Sequence, residues 1–221
     1  MKAETRFPAD AAPSNLDLIV LVADADAEWA LRTLLEQRSE SLGIRPLRYE
    51  VRRHPGHDPG VFREAPAFLR AYVQRADYAL VLLDRAGSGV EHRLAAQEME
   101  GELEERLKRN GWSGLPPRAA AIVLDPELEV WVWTRSPHVA EVLGVSQEQL
   151  EHILGRLPAT EGGKPAAPKE ALKKVLRQSK RPFSARIFRE LAERVSLQAE
   201  ERAFAKLRCT LRAWFGAGET R

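Results

Sequence analysis

Apolar residues along the chain fall into two kinds of stretch, and the two kinds alternate. Residues 18–23, 78–83 and 119–124 are continuous apolar runs, and each is followed at once by an aspartate: Asp24, Asp84 and Asp125. Runs of this length fit strands buried on both faces. Residues 44–51 suit a further strand, with Pro46 placing it at an edge or starting it late. Between these runs the apolar spacing becomes helical. Ala27, Ala30, Leu31, Leu34 and Leu35 predict a helix over 24–42, and Gly43 stands where a C-cap belongs. Residues 61–73 predict a helix interrupted or started at Pro66, and residues 90–108 a long charged one that Asn110-Gly111 ends. The segments 54–60 and 85–89 read as turn chemistry. Strands alternating with helices predict a three-layer α/β domain with a mostly parallel sheet.

Beyond Asp125 the pattern changes. Short helical pieces are expected through Leu157, then a linker or exposed loop over 158–168, then helices over 169–215. The predicted organisation is a loose N-terminus (1–15), an α/β domain (16–157), the loop (158–168) and a basic helical extension (169–221).

Charge sharpens that division. The 221 residues carry 34 Lys+Arg and 32 Asp+Glu, yet residues 164–221 hold 15 and 6 of these, leaving 19 and 26 for the rest. A basic segment on an acidic domain suits nucleic acid or an acidic partner, and Lys173, Lys174, Arg177, Lys180 and Arg181 are the expected phosphate contacts. A solvated helical face, or a tail docked on its own acidic domain, accounts for the same charges. At 44% hydrophobic and 30% charged the chain is expected to fold. No run approaches the roughly 18 apolar residues of a membrane span, and the N-terminus lacks a secretion signal's apolar segment, so the cytoplasm is expected and no membrane. The oligomeric state is left open. The single cysteine, Cys209, lies in a basic, apolar helical pattern and is expected to be a buried thiol.

The candidate chemistry is carboxylate. In an open parallel sheet the ligand crevice lies outside the carboxyl ends of the strands. Asp24, Asp84 and Asp125 gathered there would repel one another, and a divalent cation relieves that; oxygen ligands suit Mg²⁺ or Mn²⁺. Glu127 and Glu129 follow closely, and point the same way only if their segment is extended. The competing expectation is that such acids cap helices. His54 and His57 read as a surface turn, and Trp131 and Trp133 as core or interface anchors. Trp29, Trp112 and Trp214 show no spacing of a base-stacking platform.

Two motifs, Leu80-Val-Leu-Leu-Asp84-Arg-Ala-Gly-Ser-Gly89 and Leu124-Asp-Pro-Glu-Leu-Glu-Val-Trp-Val-Trp133, resemble TOPRIM-related proteins of bacterial defence loci of the methylation-associated kind. The tail from Lys180-Arg-Pro through Leu197 to Trp214-Phe215 resembles them too. The resemblance implies a TOPRIM-like fold and a component of a multi-gene anti-phage system that works with other components of that system, on or near DNA or RNA. It implies a metal-dependent nuclease with Asp84 and Glu127 as catalytic residues, and Asp84, Glu127, Glu129 and Asp24 holding Mg²⁺ or Mn²⁺. The chain departs from the pattern twice. Ala23 stands where the first-strand Glu belongs, and the Asp-x-Asp becomes Asp84-Arg85-Ala86. The alternative implied is a catalytically inactive adaptor that binds another defence protein or nucleic acid. Val22-Ala-Asp-Ala-Asp26 with Asp84 also resembles a receiver domain, although no Lys ends a last strand.

Overall fold

The computed structural model describes residues 15–134, 136–194 and 201–216. The expected loose N-terminus, apart from residue 15, and Val195–Leu197 of the tail motif lie outside the described residues.

The apolar runs form the sheet. β1 (Leu16–Val22), β2 (Tyr49–Arg53), β3 (Ala76–Asp84) and β4 (Ala119–Leu124) lie in the order β2-β1-β3-β4, all parallel. Alternate residues of each strand enter two cores, as period-2 geometry requires. Leu18, Val20, Leu80, Leu82 and Ile122 face one, and Ile19, Leu21, Val81, Leu83 and Val123 face the other. The expected α/β class, a parallel sheet between helical layers, is what the chain adopts.

On the first face lie α1 (Ala25–Gln37), α2 (Ser39–Leu42), α5 (His138–Leu143), α6 (Gln147–Leu154), α7 (Pro168–Ser179), α8 (Ala185–Arg194) and α9 (Arg202–Phe215). Leu172, Val175, Phe188, Leu207 and Phe215 of the basic segment join Leu18 and Leu80 in one core, so the apolar half of that segment completes this face. On the second face lie α3 (His57–Phe68), a 3-10 turn (Leu69–Tyr72) and α4 (Ala96–Arg109).

Several boundaries differ from those predicted. β2 starts at Tyr49, because Asp17 Oδ2 accepts the Arg48 N–H (2.6 Å) and fixes the approach. The helix expected over 24–42 breaks at Arg38, and Gly43, at φ 74°, ends the second piece as predicted. α3 begins at His57, inside the expected turn, and runs through Pro66. Pro66 has no N–H for the Phe62 carbonyl. Arg106 of α4 supplies the missing donor, with its Nη1 2.7 Å from that oxygen. α4 starts at Ala96 rather than Val90, where Glu98 accepts the Ala95 N–H (2.7 Å). Cys209 is exposed on α9, not buried as expected. No described helix is long and apolar enough to cross a membrane.

Candidate functional site

The strands end where several helices begin. Asp24 follows β1 and caps α1, with Oδ1 accepting the Ala27 N–H (2.9 Å). Asp84 closes β3. Asp58 lies in the first turn of α3, and its Oδ1 accepts the Asp84 N–H (2.7 Å). The backbone therefore ties Asp58 and Asp84 together across two elements. His57, beside Asp58, has a left-handed backbone (φ 50°) and exposes its ring. That conformation is uncommon for a residue with a side chain.

Of the predicted ligands, Asp24 and Asp84 come together, and Glu129 joins them from the 3-10 turn Leu128–Trp131. Glu129 is 1% exposed, and its Oε1 is 3.3 Å from the Lys169 ammonium. Its Oε2 is buried with no hydrogen-bond partner among the described residues. Glu127 does not turn toward the cluster with it. Its Oε1 accepts the Lys169 N–H (2.8 Å) and so caps the first turn of α7. Asp125 is exposed and faces Arg85, 3.5 Å away. The third strand-end aspartate is thus replaced in the cluster by Asp58, from the segment whose composition predicts a turn.

The electrostatics follow from this crowding. Burial holds the Asp84 carboxyl well above the usual carboxylate range, and the neighbouring Asp58, Glu129 and Asp24 push it further. Burial also raises Asp58, and again the charge of Asp24 adds to the effect. Asp26 is pushed up to about 6 by burial and by Asp24. Glu129 is raised by burial, with Lys169 acting against that. Lys169 is the cation these acids share: Glu129, Glu127 and Asp84 all favour its charged form. It comes from the start of α7, not from a strand end. Among the described residues no three His, Cys, Asp or Glu side chains already stand around one point at ligand distance.

Compared with protein-family models, with curated proteins and with solved structures, the chain matches none.

An open pocket adjoins the cluster on the β2 side, lined by Asp24, Asp26, Glu28, Arg32, Arg53 and His57 among others. Glu28 holds Arg32 (2.8 Å) and Arg53 (3.0 Å) there. His54, expected on a surface turn, is buried at the end of β2, where its Nδ1 accepts the Gly56 N–H (3.0 Å). Trp131 and Trp133 are anchors, as expected. Their indole N–H groups donate to Glu201 (2.7 Å) and to the Pro168 carbonyl (3.1 Å).

Of the five predicted phosphate contacts, Lys173 pairs with Glu170 (2.7 Å), and Arg181 pairs with Glu190 (2.9 Å) and the Val142 carbonyl. Lys174, Arg177 and Lys180 are exposed on the outer side of α7 and at its C-cap.

Proposed function

We propose that the chain is a component of a multi-gene bacterial anti-phage system of the methylation-associated kind. In this reading its TOPRIM-like domain uses the acidic cluster for divalent-metal-dependent cleavage of nucleic-acid phosphodiesters. The observation that carries the reading is the shortage of positive charge around Asp84. Asp58, Glu129 and Asp24 lie close enough to Asp84 to raise its protonation, Asp24 raises that of Asp58 as well, and Lys169 is the cation that Asp84 and Glu129 share. Desolvated like charges of this kind are costly unless a cation joins them.

The donor set fits Mg²⁺ or Mn²⁺: it is all carboxylate oxygen, and Glu129 Oε2 is an orphaned acceptor. Asp84 and Asp58 would hold the cation, joined by Asp24 through the oxygen its capping bond leaves over. When bound, such a cation supplies counter-charge and polarises a phosphoryl oxygen. Asp58 takes the place of the second acid that Ala86 removes from the TOPRIM pattern. Lys169 balances Glu129, and Lys174, Arg177 and Lys180 attract the phosphate backbone without reading its sequence.

A second reading rests on the positions of Glu127 and Glu129. One caps α7 and the other pairs with Lys169. A chain that had exchanged catalysis for stability would use its acids in this way and serve as an adaptor, offering the exposed cations of α7 to a partner. Calorimetric titration with Mn²⁺, together with plasmid and oligonucleotide cleavage, separates the two. The nuclease reading expects saturable binding by the wild-type protein and loss of both binding and cleavage in a folded Asp84→Asn variant. Absence of Mn²⁺ binding, with nucleic acid uncut across Mg²⁺, Mn²⁺ and Co²⁺, would leave the adaptor.

A further inference from the structure

We infer that Phe183 and Trp29 form a stacking surface for the unpaired bases of single-stranded nucleic acid, placed to deliver the strand to the acidic cluster. The inference rests on the nucleic-acid reading above and narrows its substrate to single strands.

One ammonium connects the cluster to Phe183. Lys169 Nζ is 3.3 Å from Glu129 Oε1 and 5.9 Å from the centre of the Phe183 ring. Phe188 packs edge to face with that ring, with centroids 6.0 Å apart. Trp29 reaches the same end of the molecule by a different route. The Arg189 guanidinium of α8 lies 5.8 Å from the Trp29 ring. Further along, Arg38 donates to the Ala192 and Glu193 carbonyls (3.0 Å each), and Gln37 to the Glu193 side chain (3.3 Å). Rising numbers in α1 therefore meet rising numbers in α8, so the two helices point the same general way. Their N-termini share the edge of the sheet where Asp24 caps α1. Phe183 lies two residues before α8, and Trp29 is one turn beyond Asp26 on α1, at the i,i+3 spacing that puts two side chains on one side of a helix.

The exposure of these rings sets them apart. Trp29 is 43% and Phe183 36% exposed, and the other large apolar side chain so exposed among the described residues is Leu115 (99%). Leu115 lies in the loop before β4, at the opposite edge of the sheet. Packing does not call for two half-open aromatic rings beside an acidic crevice, and each already has a cation over it. Rings for bases and cations for phosphates are the combination that binds single strands without sequence preference. In a duplex the base faces are covered by their neighbours in the stack, so the rings favour unpaired bases.

Fluorescence anisotropy with a labelled oligothymidylate and a blunt duplex of equal length tests this, using the full chain in EDTA so that no metal chemistry contributes. The single strand is expected to bind about tenfold tighter or more. Phe183→Ala and Trp29→Ala should each weaken it about fivefold or more, the usual range for one stacked base. Phe183→Leu, which keeps the apolar contact with Phe188, should weaken it similarly with unchanged melting. Phe183→Trp should bind as wild type does, and Leu115→Ala should have no effect. Equal or tighter duplex binding overturns the inference, as does single-strand affinity unchanged in both Phe183→Leu and Trp29→Ala. Ring-dependent strand binding in a protein that ignores Mn²⁺ keeps this inference and removes the nuclease reading. Cleaved duplex with silent ring variants does the reverse.

Discussion

Two groups of buried carboxylates occupy this fold, and they are partnered in opposite ways. On α4, Glu100 is 3% exposed and every neighbour satisfies it. Its oxygens accept from Arg202 (2.9 Å), Lys206 (3.1 Å) and the Val123 N–H (2.9 Å). Glu104 beside it accepts from Lys206 (2.7 Å) and the Ala121 N–H (3.0 Å), and Arg202 donates to the Val123 carbonyl (2.5 Å). These side chains occupy part of the outer edge of β4, the last strand of the sheet, where unpaired backbone groups would otherwise template further strands. At the carboxyl ends of β1 and β3 the acids are instead crowded against one another, with Lys169 as their shared cation and one Glu129 oxygen unpartnered. Carboxylates that build structure arrive with their partners. Carboxylates left short of charge are held in place by the fold, and in the function proposed above a cation from outside completes them.

The comparison is broken most directly at Glu100. Glu100→Ala leaves Arg202 and Lys206 without their central partner and Val123 without its acceptor. It is expected to cost about 3–5 kcal/mol in urea denaturation, the range for breaking a buried ion pair. A cost below about 1 kcal/mol would show the network to be surface-like and dissolve the contrast.

At Asp84 the sign reverses. In chelator at pH 8, Asp84→Asn is expected to raise unfolding free energy by about 1 kcal/mol, because it removes a buried charge from among like charges. With Mn²⁺ at about a hundred times its dissociation constant, the wild-type protein should gain about 2.7 kcal/mol and the variant nothing, so the order inverts. A variant destabilised in chelator would mean that the cluster is already compensated.

How much of this the sequence discloses depends on the range of the interactions involved. The strands and the aspartates after them are legible because burial on both faces leaves an unbroken apolar run, and the run ends where the chain leaves the sheet. The start of α3 is not legible. Its Pro66 reads as a breaker until Arg106, far along the chain, supplies the donor to Phe62. Asp58 was hidden with that helix, although an acid ahead of an apolar helical run is a recognised start signal. Lys169 left no local trace, since only the packing of α7 against the Leu128–Trp131 turn brings it to Glu129. The same holds for the rings: Trp29 and Phe183 meet the site through the packing of α1 against α8, which no local spacing records.

The smallest effect sharpens the contrast along the sheet itself. Asp17 is the second residue of β1, at the end of the sheet opposite the cluster, and it is buried. It accepts from Arg45 (2.8 Å) and the Arg48 N–H (2.6 Å), and these hold its carboxyl below the usual range. A lowered folded-state value means that its contribution is complete above the unfolded value, about pH 4, and is lost as pH falls through the folded one. Asp17→Asn is therefore expected to cost about 1 kcal/mol at pH 7, a modest figure because both arginines are half exposed, and nothing once the pH has fallen below the folded-state value. For Asp84 the raised value gives the opposite slope: its charge weakens the fold as pH rises, so the advantage of Asp84→Asn grows toward alkaline pH. Denaturation of the two variants from pH 3 to pH 8 should give stability differences from wild type that move in opposite directions. Parallel curves would mean that the two ends of the sheet treat their aspartates alike, and that the shortage of positive charge at the cluster is filled by the protein itself.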